Sequence, residues 1–262
     1  MGLFSGLQEL VRYRELLLSW VLRDIKVRYK QSILGITWAV LQPLSATILF
    51  AVIFSRFVKV PTDGIPYPIF YYSALLPWTF FSNSVSFAVS SLVNNMNLIT
   101  KIYFPREILP IASVMASFVD FLIASLIFIG MMVFYHMPVG SSILLVPIII
   151  VIQILFTLGV VLLASAMNVF YRDIRFVIPL GVQLWMYLTP IIYPVSMVPE
   201  RFRPLYMLNP MAGIIDSYRT IILAAKFPQA EYLLVASVVS IGMFVGSYRY
   251  FKSAEMEFAD II

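Results

Sequence analysis

The 262-residue chain contains no cysteine and only one histidine. Without cysteine it can form no disulfide framework, no thiolate metal site and no cysteine nucleophile. The histidine, His136, falls in a predicted loop, where a lone imidazole is usually only solvated. The sequence therefore offers no metal site.

A phosphate-binding loop is also missing. That motif needs a lysine directly after a glycine, and none of the six lysines follows one. We therefore expect no ATP site or other cofactor in this chain, and we expect a partner to bind any ATP and magnesium. No cluster of acids, bases or metal ligands suggests an enzyme.

Charged residues are scarce at 12%, whereas hydrophobic residues make up 61% of the chain and the mean hydropathy is +0.93. This composition indicates an integral membrane protein. Because the hydrocarbon core holds no water, each backbone amide must bond within its own segment. The sequence therefore predicts an all-α fold.

Apolar runs separated by short polar loops predict six spanning helices, since about 20 residues cross the hydrocarbon core as a helix. Six crossings place both termini on one side. Twelve of the 18 Lys and Arg residues fall on that side, which predicts that both termini are cytoplasmic. The predicted spans are residues 36–58, 69–93, 108–135, 141–168, 176–192 and 231–250.

Residues 16–34 are predicted to form a basic amphipathic helix ahead of the first span. Apolar residues recur on one face at steps of three or four, which suits a helix lying in the headgroup layer. It would either anchor the topology or contact a cytoplasmic partner. Gly35 and Pro43 lie near the junction with the first span and would let the chain turn. The basic residues of this helix are Arg23, Lys26, Arg28 and Lys30.

The predicted cytoplasmic loop at residues 94–105 contains a short stretch that can form a helix. Asn94 or Asn95 can cap it, and Pro105 can end it or start the next helix. Such a loop either docks in the groove of another protein or is an ordinary solvated connection. The polar residues available to a partner are Asn94, Asn95, Asn97 and Lys101.

Five prolines interrupt the chain between residues 190 and 210, so a spanning helix cannot continue there. The apolar stretch 211–225 is short and carries Asp216 and Arg219. We predict a re-entrant helical hairpin at residues 190–225, because broken helices occur at membrane depth only where they pack in protein or line a wet cavity. The alternative is an amphipathic helix on the outer leaflet.

Two further groups of residues within the predicted spans are functional candidates. Asp120 is an acid near the middle of the third span, where it would be either a titrating group or a structural or channel-facing contact. Aromatic rings within spans would face a channel or pack against neighbours and lipid. The rings considered for a channel are Phe50, Phe54, Trp185 and Tyr187.

Five motifs in this order resemble the permease subunits of type-2 ATP-binding-cassette polysaccharide exporters. The resemblance covers essentially the whole chain and is greatest to permeases that export lipid-linked O antigens, with teichoic-acid exporters as relatives. The motifs are Arg23–Lys30, Leu34–Pro43, Asn168–Ile174, Leu188–Tyr193 and Leu208–Met211.

The resemblance implies a homodimer with two separate ATPase subunits in the bacterial inner membrane. The helix with residues 23–30 would lie at the ATPase interface, residues 94–101 would form the coupling helix, and residues 190–225 would form the outer gate. An undecaprenyl-pyrophosphate-linked glycan would enter from the cytoplasmic leaflet. The gate residues considered are Pro190, Tyr193, Asn209, Asp216 and Arg219.

Other functions remain open at this point. Exporters of teichoic acid, capsule, small lipids or drugs share the architecture, although many drug exporters carry a large external domain or a fused ATPase. A proton-coupled carrier would use Asp120, but such a carrier usually has several intramembrane ionisable residues and an inverted repeat.

Overall fold

The computed structural model describes residues 3–30, 32–58, 60–62 and 64–258. Helices make up 78% of the structure, and the described ranges contain no strand, so the predicted all-α class is confirmed. The α-helices are α1 Leu3–Arg12, α2 Arg14–Tyr29, α3 Trp38–Val52, α4 Tyr67–Ala88, α5 Met96–Ile99, α6 Ile108–Phe134, α7 Val146–Phe170, α8 Ile174–Tyr187, α9 Arg203–Tyr206, α10 Pro210–Ile222 and α11 Ala230–Ala254.

Four helical stretches in the described ranges are long and apolar enough to cross a bilayer. They coincide with the predicted spans 36–58, 108–135, 141–168 and 231–250 to within a few residues at each end. Large apolar side chains cover their outer faces, as hydrocarbon surroundings require. The four stretches are Gly35–Ser55, Ile108–Phe134, Ser141–Phe170 and Ala230–Ala254.

The other two predicted spans, 69–93 and 176–192, correspond to α4 and α8. α4 has 22 residues, which is long enough to cross, but it is rich in tyrosine, serine and proline. It packs against α3, α6, α7, α8 and α10, so protein and not lipid surrounds it. α8 has only 14 residues and is shorter than the predicted span.

The helix predicted at residues 16–34 is α2, which ends at Tyr29 instead of Leu34. Gly35 has a φ of +53°, a left-handed conformation that glycine adopts without a steric penalty. The chain therefore turns between α2 and α3, at the glycine that the sequence marked for a turn. Apolar and polar residues are segregated more clearly on α1 than on α2.

The segment 190–225 is broken into short pieces, as its prolines require. α9 has four residues, while α10 has 13 and begins after Asn209, whose side-chain oxygen accepts the Met211 backbone N–H at 3.1 Å. This is the usual N-terminal cap of a helix. α10 is buried against α4, α7 and α11, so this helix packs in protein.

Candidate functional site

A polar network fastens α2 to the middle of α6. The guanidinium of Arg28 donates to the Asp120 carboxylate at 2.9 Å, to the Ser117 hydroxyl at 3.2 Å and to the Ser113 carbonyl at 3.2 Å. The Tyr29 hydroxyl donates to the second oxygen of Asp120 at 2.8 Å. The Arg28 and Asp120 side chains are only 10% and 13% exposed, so water screens this ion pair weakly.

The network continues along both helices. The Ser113 hydroxyl donates to Asp24 at 2.9 Å, and the Arg28 guanidinium lies 3.9 Å from the ring centroid of Phe87. Burial, followed by the hydrogen bond to Asp120, raises the pKa of Tyr29, so its phenol keeps its proton and remains a donor. Both acceptor oxygens of Asp120 thus hold α2 in place.

Some polar residues of α2 therefore point into the protein beside the buried Trp20 and Val21, whereas Lys26 and Lys30 are exposed. The apolar periodicity predicted a helix lying in the headgroup layer, and Leu18 and Leu22 are 53% and 56% exposed, which leaves them available to lipid. The sequence did not predict the pairing of Arg28 and Tyr29 with Asp120. The sequence feature that could have predicted this pairing lies on α6, where Ser113, Ser117 and Asp120 recur at helical spacing within an apolar span.

The basic helix and the predicted coupling loop meet at Arg23. Its guanidinium donates to the Asn95 side-chain oxygen at 3.1 Å and lies 4.1 Å from the ring centroid of Trp20. Asn95 precedes α5 but does not cap it, because its side-chain oxygen accepts from Arg23 while its amide nitrogen donates to the Ser91 carbonyl at 2.8 Å. The structure thus brings together two of the predicted site regions.

The rest of the predicted coupling residues are available to a partner. Polar and apolar side chains alternate on this exposed surface, and Tyr103 is 79% exposed. The exposed residues of the loop and of α2 include Asn94, Asn97, Lys101, Lys26 and Lys30.

A charged cluster at the start of α6, which the sequence analysis did not identify, joins this loop to the end of α11. The Lys252 ammonium lies 2.7 Å from the Glu107 carboxylate and 3.0 Å from that of Glu255. Burial raises the pKa of Glu107, and the Lys252 ammonium opposes that rise. Arg106 donates from its backbone to Glu255 at 3.1 Å and from its guanidinium to the Glu255 carbonyl.

Asn168, in the motif 168–174, holds the tight turn between α7 and α8. Its amide donates to the Val89 carbonyl of α4 at 3.0 Å, and its oxygen accepts the Arg175 backbone N–H at 3.1 Å. The side chain is 1% exposed. Asn168 therefore fixes the direction in which α8 leaves α7.

Arg219 of α10 is a buried clamp on the broken segment. Its guanidinium donates to the carbonyls of Pro190, Ile191 and Tyr193, and it stacks 3.7 Å from the ring centroid of Phe70. Carbonyls that follow a broken helix lack intrahelical donors, and Arg219 supplies them. Arg219 therefore holds residues 190–193 against α4 and α10.

The remaining predicted gate residues surround this clamp. The Asn209 amide donates to the Thr189 hydroxyl at 3.0 Å, and the Tyr193 and Tyr206 hydroxyls are 3.1 Å apart. Asp216 lies on α10 but forms no ion pair with Arg219 within the described residues. Hydrogen bonds therefore hold the residues around Arg219, and an ion pair between Arg203 and Glu200, at 3.7 Å, lies farther along the same segment.

Three of the four rings considered for a channel pack against rings of the same chain. Phe50 stacks on Tyr71 with centroids 4.9 Å apart, Phe54 stacks on Tyr67 at 5.9 Å, and Trp185 meets Phe81 edge-on at 5.5 Å. These contacts fit the packing alternative. Tyr187 differs, because 57% of it is exposed.

Comparison with known proteins assigns the class. A family model described as "ABC-2 type transporter" matches residues 15–223, which include nearly all of α2, the predicted coupling loop and α10. The chain belongs to this family.

Individual relatives are similar over almost their whole length. The O-antigen export system permease protein RfbA of Myxococcus xanthus is 32% identical over 258 residues, covering 97% of this chain and 98% of that protein. RfbA of Klebsiella pneumoniae is 32% identical over 241 residues, 92% of each chain. The polysialic acid transport protein KpsM of Escherichia coli is 20% identical over 236 residues, covering 87% of this chain and 90% of KpsM.

Proposed function

We propose that this chain is the membrane subunit of an ABC transporter that exports an O-antigen-type polysaccharide linked to undecaprenyl pyrophosphate. The observation that carries the proposal is the end-to-end similarity to two O-antigen export permeases. The absence of a phosphate loop from the sequence agrees with ATP and magnesium being bound by a separate ATPase subunit.

The proposed assembly contains two copies of this chain and two ATPase subunits in the bacterial inner membrane. Each copy would cross the membrane six times, with α4 and α8 as the second and fifth crossings and both termini in the cytoplasm. The excess of Lys and Arg on that side supports this orientation. Residues 190–225 would form a re-entrant gate at the outer face, held by Arg219.

Coupling to ATP hydrolysis would use two routes into the membrane. The exposed residues Asn94, Asn97 and Lys101 would contact the ATPase, and movement of that loop would reach α2 through the Arg23–Asn95 contact. α2 would then move α6, because the Arg28–Asp120 pair joins them at 2.9 Å. In the second route, movement of the loop would reach the start of α6 directly, because Glu107 follows the loop in the chain.

A proton-coupled carrier that uses Asp120 is the alternative from another class. The close Arg28 guanidinium and the Tyr29 hydroxyl occupy both oxygens of the carboxylate. A proton relay needs carboxylate oxygens that can exchange hydrogen bonds with water or a second acid, and α2 holds both oxygens of Asp120. The geometry therefore favours the ATP-driven exporter. Teichoic-acid or capsule polymers remain substrate alternatives, and KpsM, by its name, transports polysialic acid.

The test is co-expression of this chain with the ABC ATPase subunit of its own transporter. The two proteins should co-purify, and ATP hydrolysis should appear only in the complex with an intact ATPase. Deletion of the gene for this chain should leave lipid-linked glycan inside the cell. An export-competent cell without this chain, or a chain that captures no ATPase, would contradict the proposal.

A further inference from the structure

A cavity of about 310 Å³ lies between α2, α3, α4 and α6, beside the Arg28–Asp120 pair. Its volume is at the lower end of the range for small-molecule sites, about 300–1,000 Å³. It lies near the start of α3 and the last turns of α4, which is the half of the bundle that carries the coupling loop. Neither the family match nor the relatives assign a role to it.

The wall of the cavity combines flat aromatic faces with amides. Trp38 and Phe80 line it, together with the amides of Gln42 and Asn83. Gln42 is exposed and Asn83 is half-buried, so each side-chain amide can both donate to and accept from a ligand in the cavity. Hydroxyl groups need this dual capacity, and the apolar faces of sugar rings pack well on aromatic rings.

The charge of the cavity argues against an anion. Asp120 neutralises Arg28, whose donors are also taken by Ser117 and the Ser113 carbonyl. A phosphate placed here would meet the Asp120 carboxylate, and the charge of the guanidinium is already paired with that carboxylate. The exposed cations Lys26 and Lys30 line a separate groove on α2.

We infer that this cavity binds a neutral hexopyranose ring. The inference rests on the proposed function only for the source of that sugar, which would be the glycan next to its lipid carrier. The ring stacks on Trp38, and its hydroxyls bond to Gln42 and Asn83. Arg28 and Asp120 shape the wall through their mutual pairing.

The test exploits the absence of cysteine from the chain. Ala39 lines the cavity and has no polar side chain, so Ala39→Cys introduces a unique thiol there. The full-length variant in sugar-free phospholipid nanodiscs is reacted with a small methanethiosulfonate reagent. Glucose, galactose, mannose, N-acetylglucosamine and maltose are added one at a time, and inorganic pyrophosphate serves as the anionic probe.

At least one sugar should slow modification at position 39 by about threefold or more when its concentration is about twice its dissociation constant. Thr100→Cys, an exposed position in the coupling loop, should react at the same rate with or without sugar. Adding Asn83→Ala to Ala39→Cys should abolish the protection, because the amide that bonds the hydroxyls is gone.

Two results would overturn the inference: none of the five sugars protects position 39, or pyrophosphate protects it as well as any sugar does. These measurements use the chain without its ATPase, so they do not depend on co-purification or ATP hydrolysis. A chain that binds the ATPase but leaves position 39 unprotected therefore loses the sugar site and keeps its proposed function.

Discussion

Arg28 and Asp120 show how a single pair of residues can join two helices inside an apolar region. Each side chain would be costly to bury alone, and the pair is tolerated because both partners are hydrogen-bonded. Removing one partner leaves the other as an uncompensated charge. The loss of stability on removing one partner is therefore larger than the stability that the intact pair contributes.

We predict that Asp120→Asn lowers the free energy of unfolding by about 3 kcal/mol, because Arg28 then keeps its charge in a shielded site without a counter-charge. Thermal unfolding in detergent measures the change. Asp173→Asn, at an exposed acid in the turn before α8, is the matched control and should have little effect. The double variant Arg28→Met, Asp120→Leu should recover much of the loss, and an equal loss in all three variants would contradict the pairing.

Arg219 provides a second test on single residues. Arg219→Met should lower the free energy of unfolding by about 3 kcal/mol or more, since the carbonyls of Pro190, Ile191 and Tyr193 lose their donor inside the protein. Arg201→Met, at an exposed arginine of the same segment, should change stability by less than about 0.5 kcal/mol. Differential scanning fluorimetry measures the unfolding midpoints of the two variants. Similar midpoints would rule out the stabilising role of Arg219.

Individual helices differ in how well the sequence predicts them. Hydropathy places α6 almost to the residue, because a long apolar run has no alternative to a helix in lipid. It overestimates α2 at its C-terminal end, where Gly35 turns the chain. The pairing of Arg28 and Tyr29 with Asp120 could not be predicted from the periodicity of α2, because the partner residue lies on α6.

The residues of the candidate site also differ in how well the sequence predicts them. Loop residues such as Asn97 and Lys101 were predictable as exposed polar groups, since their chemistry is local. The Lys252–Glu107 pair was not, because 145 residues separate its partners in the chain. A long-range ion pair needs knowledge of which helix ends meet.

The coupling loop supplies a prediction about an element as a whole. The double variant Asn97→Asp, Lys101→Glu should weaken co-purification of the ATPase and its ATP hydrolysis by about tenfold, since it changes two exposed side chains of the proposed docking surface. The folding of the chain should be unaffected, because neither side chain is buried. Lys226→Glu, exposed just before α11, is the charge-reversal control. Normal ATPase binding by the loop variant would place the partner elsewhere.

At the scale of the whole molecule, the Glu107 carboxylate ties the start of α6 to the end of α11. Its side chain is 0% exposed, and the Lys252 ammonium is the positive charge paired with it among the described residues. Lys252→Met should therefore destabilise the chain by about 3–5 kcal/mol. Limited proteolysis should then cleave the segment after α11 faster than in the parent chain, whereas Lys226→Met should leave the rate unchanged. An unchanged cleavage rate in Lys252→Met would contradict the link between the start of α6 and the end of α11.

The shortness of α8 has a consequence for the surrounding lipid. Its 14 residues extend about 21 Å at about 1.5 Å per residue, against a hydrocarbon thickness of about 30 Å. As the proposed fifth crossing, α8 would present outward apolar side chains, such as Leu180 and Leu184, that do not match an undisturbed bilayer. A span this much shorter than the hydrocarbon layer would thin the adjacent leaflets. The hydrocarbon layer next to α8 would then be thinner than elsewhere. A polar headgroup that crosses the bilayer there would pass through the shortest apolar distance.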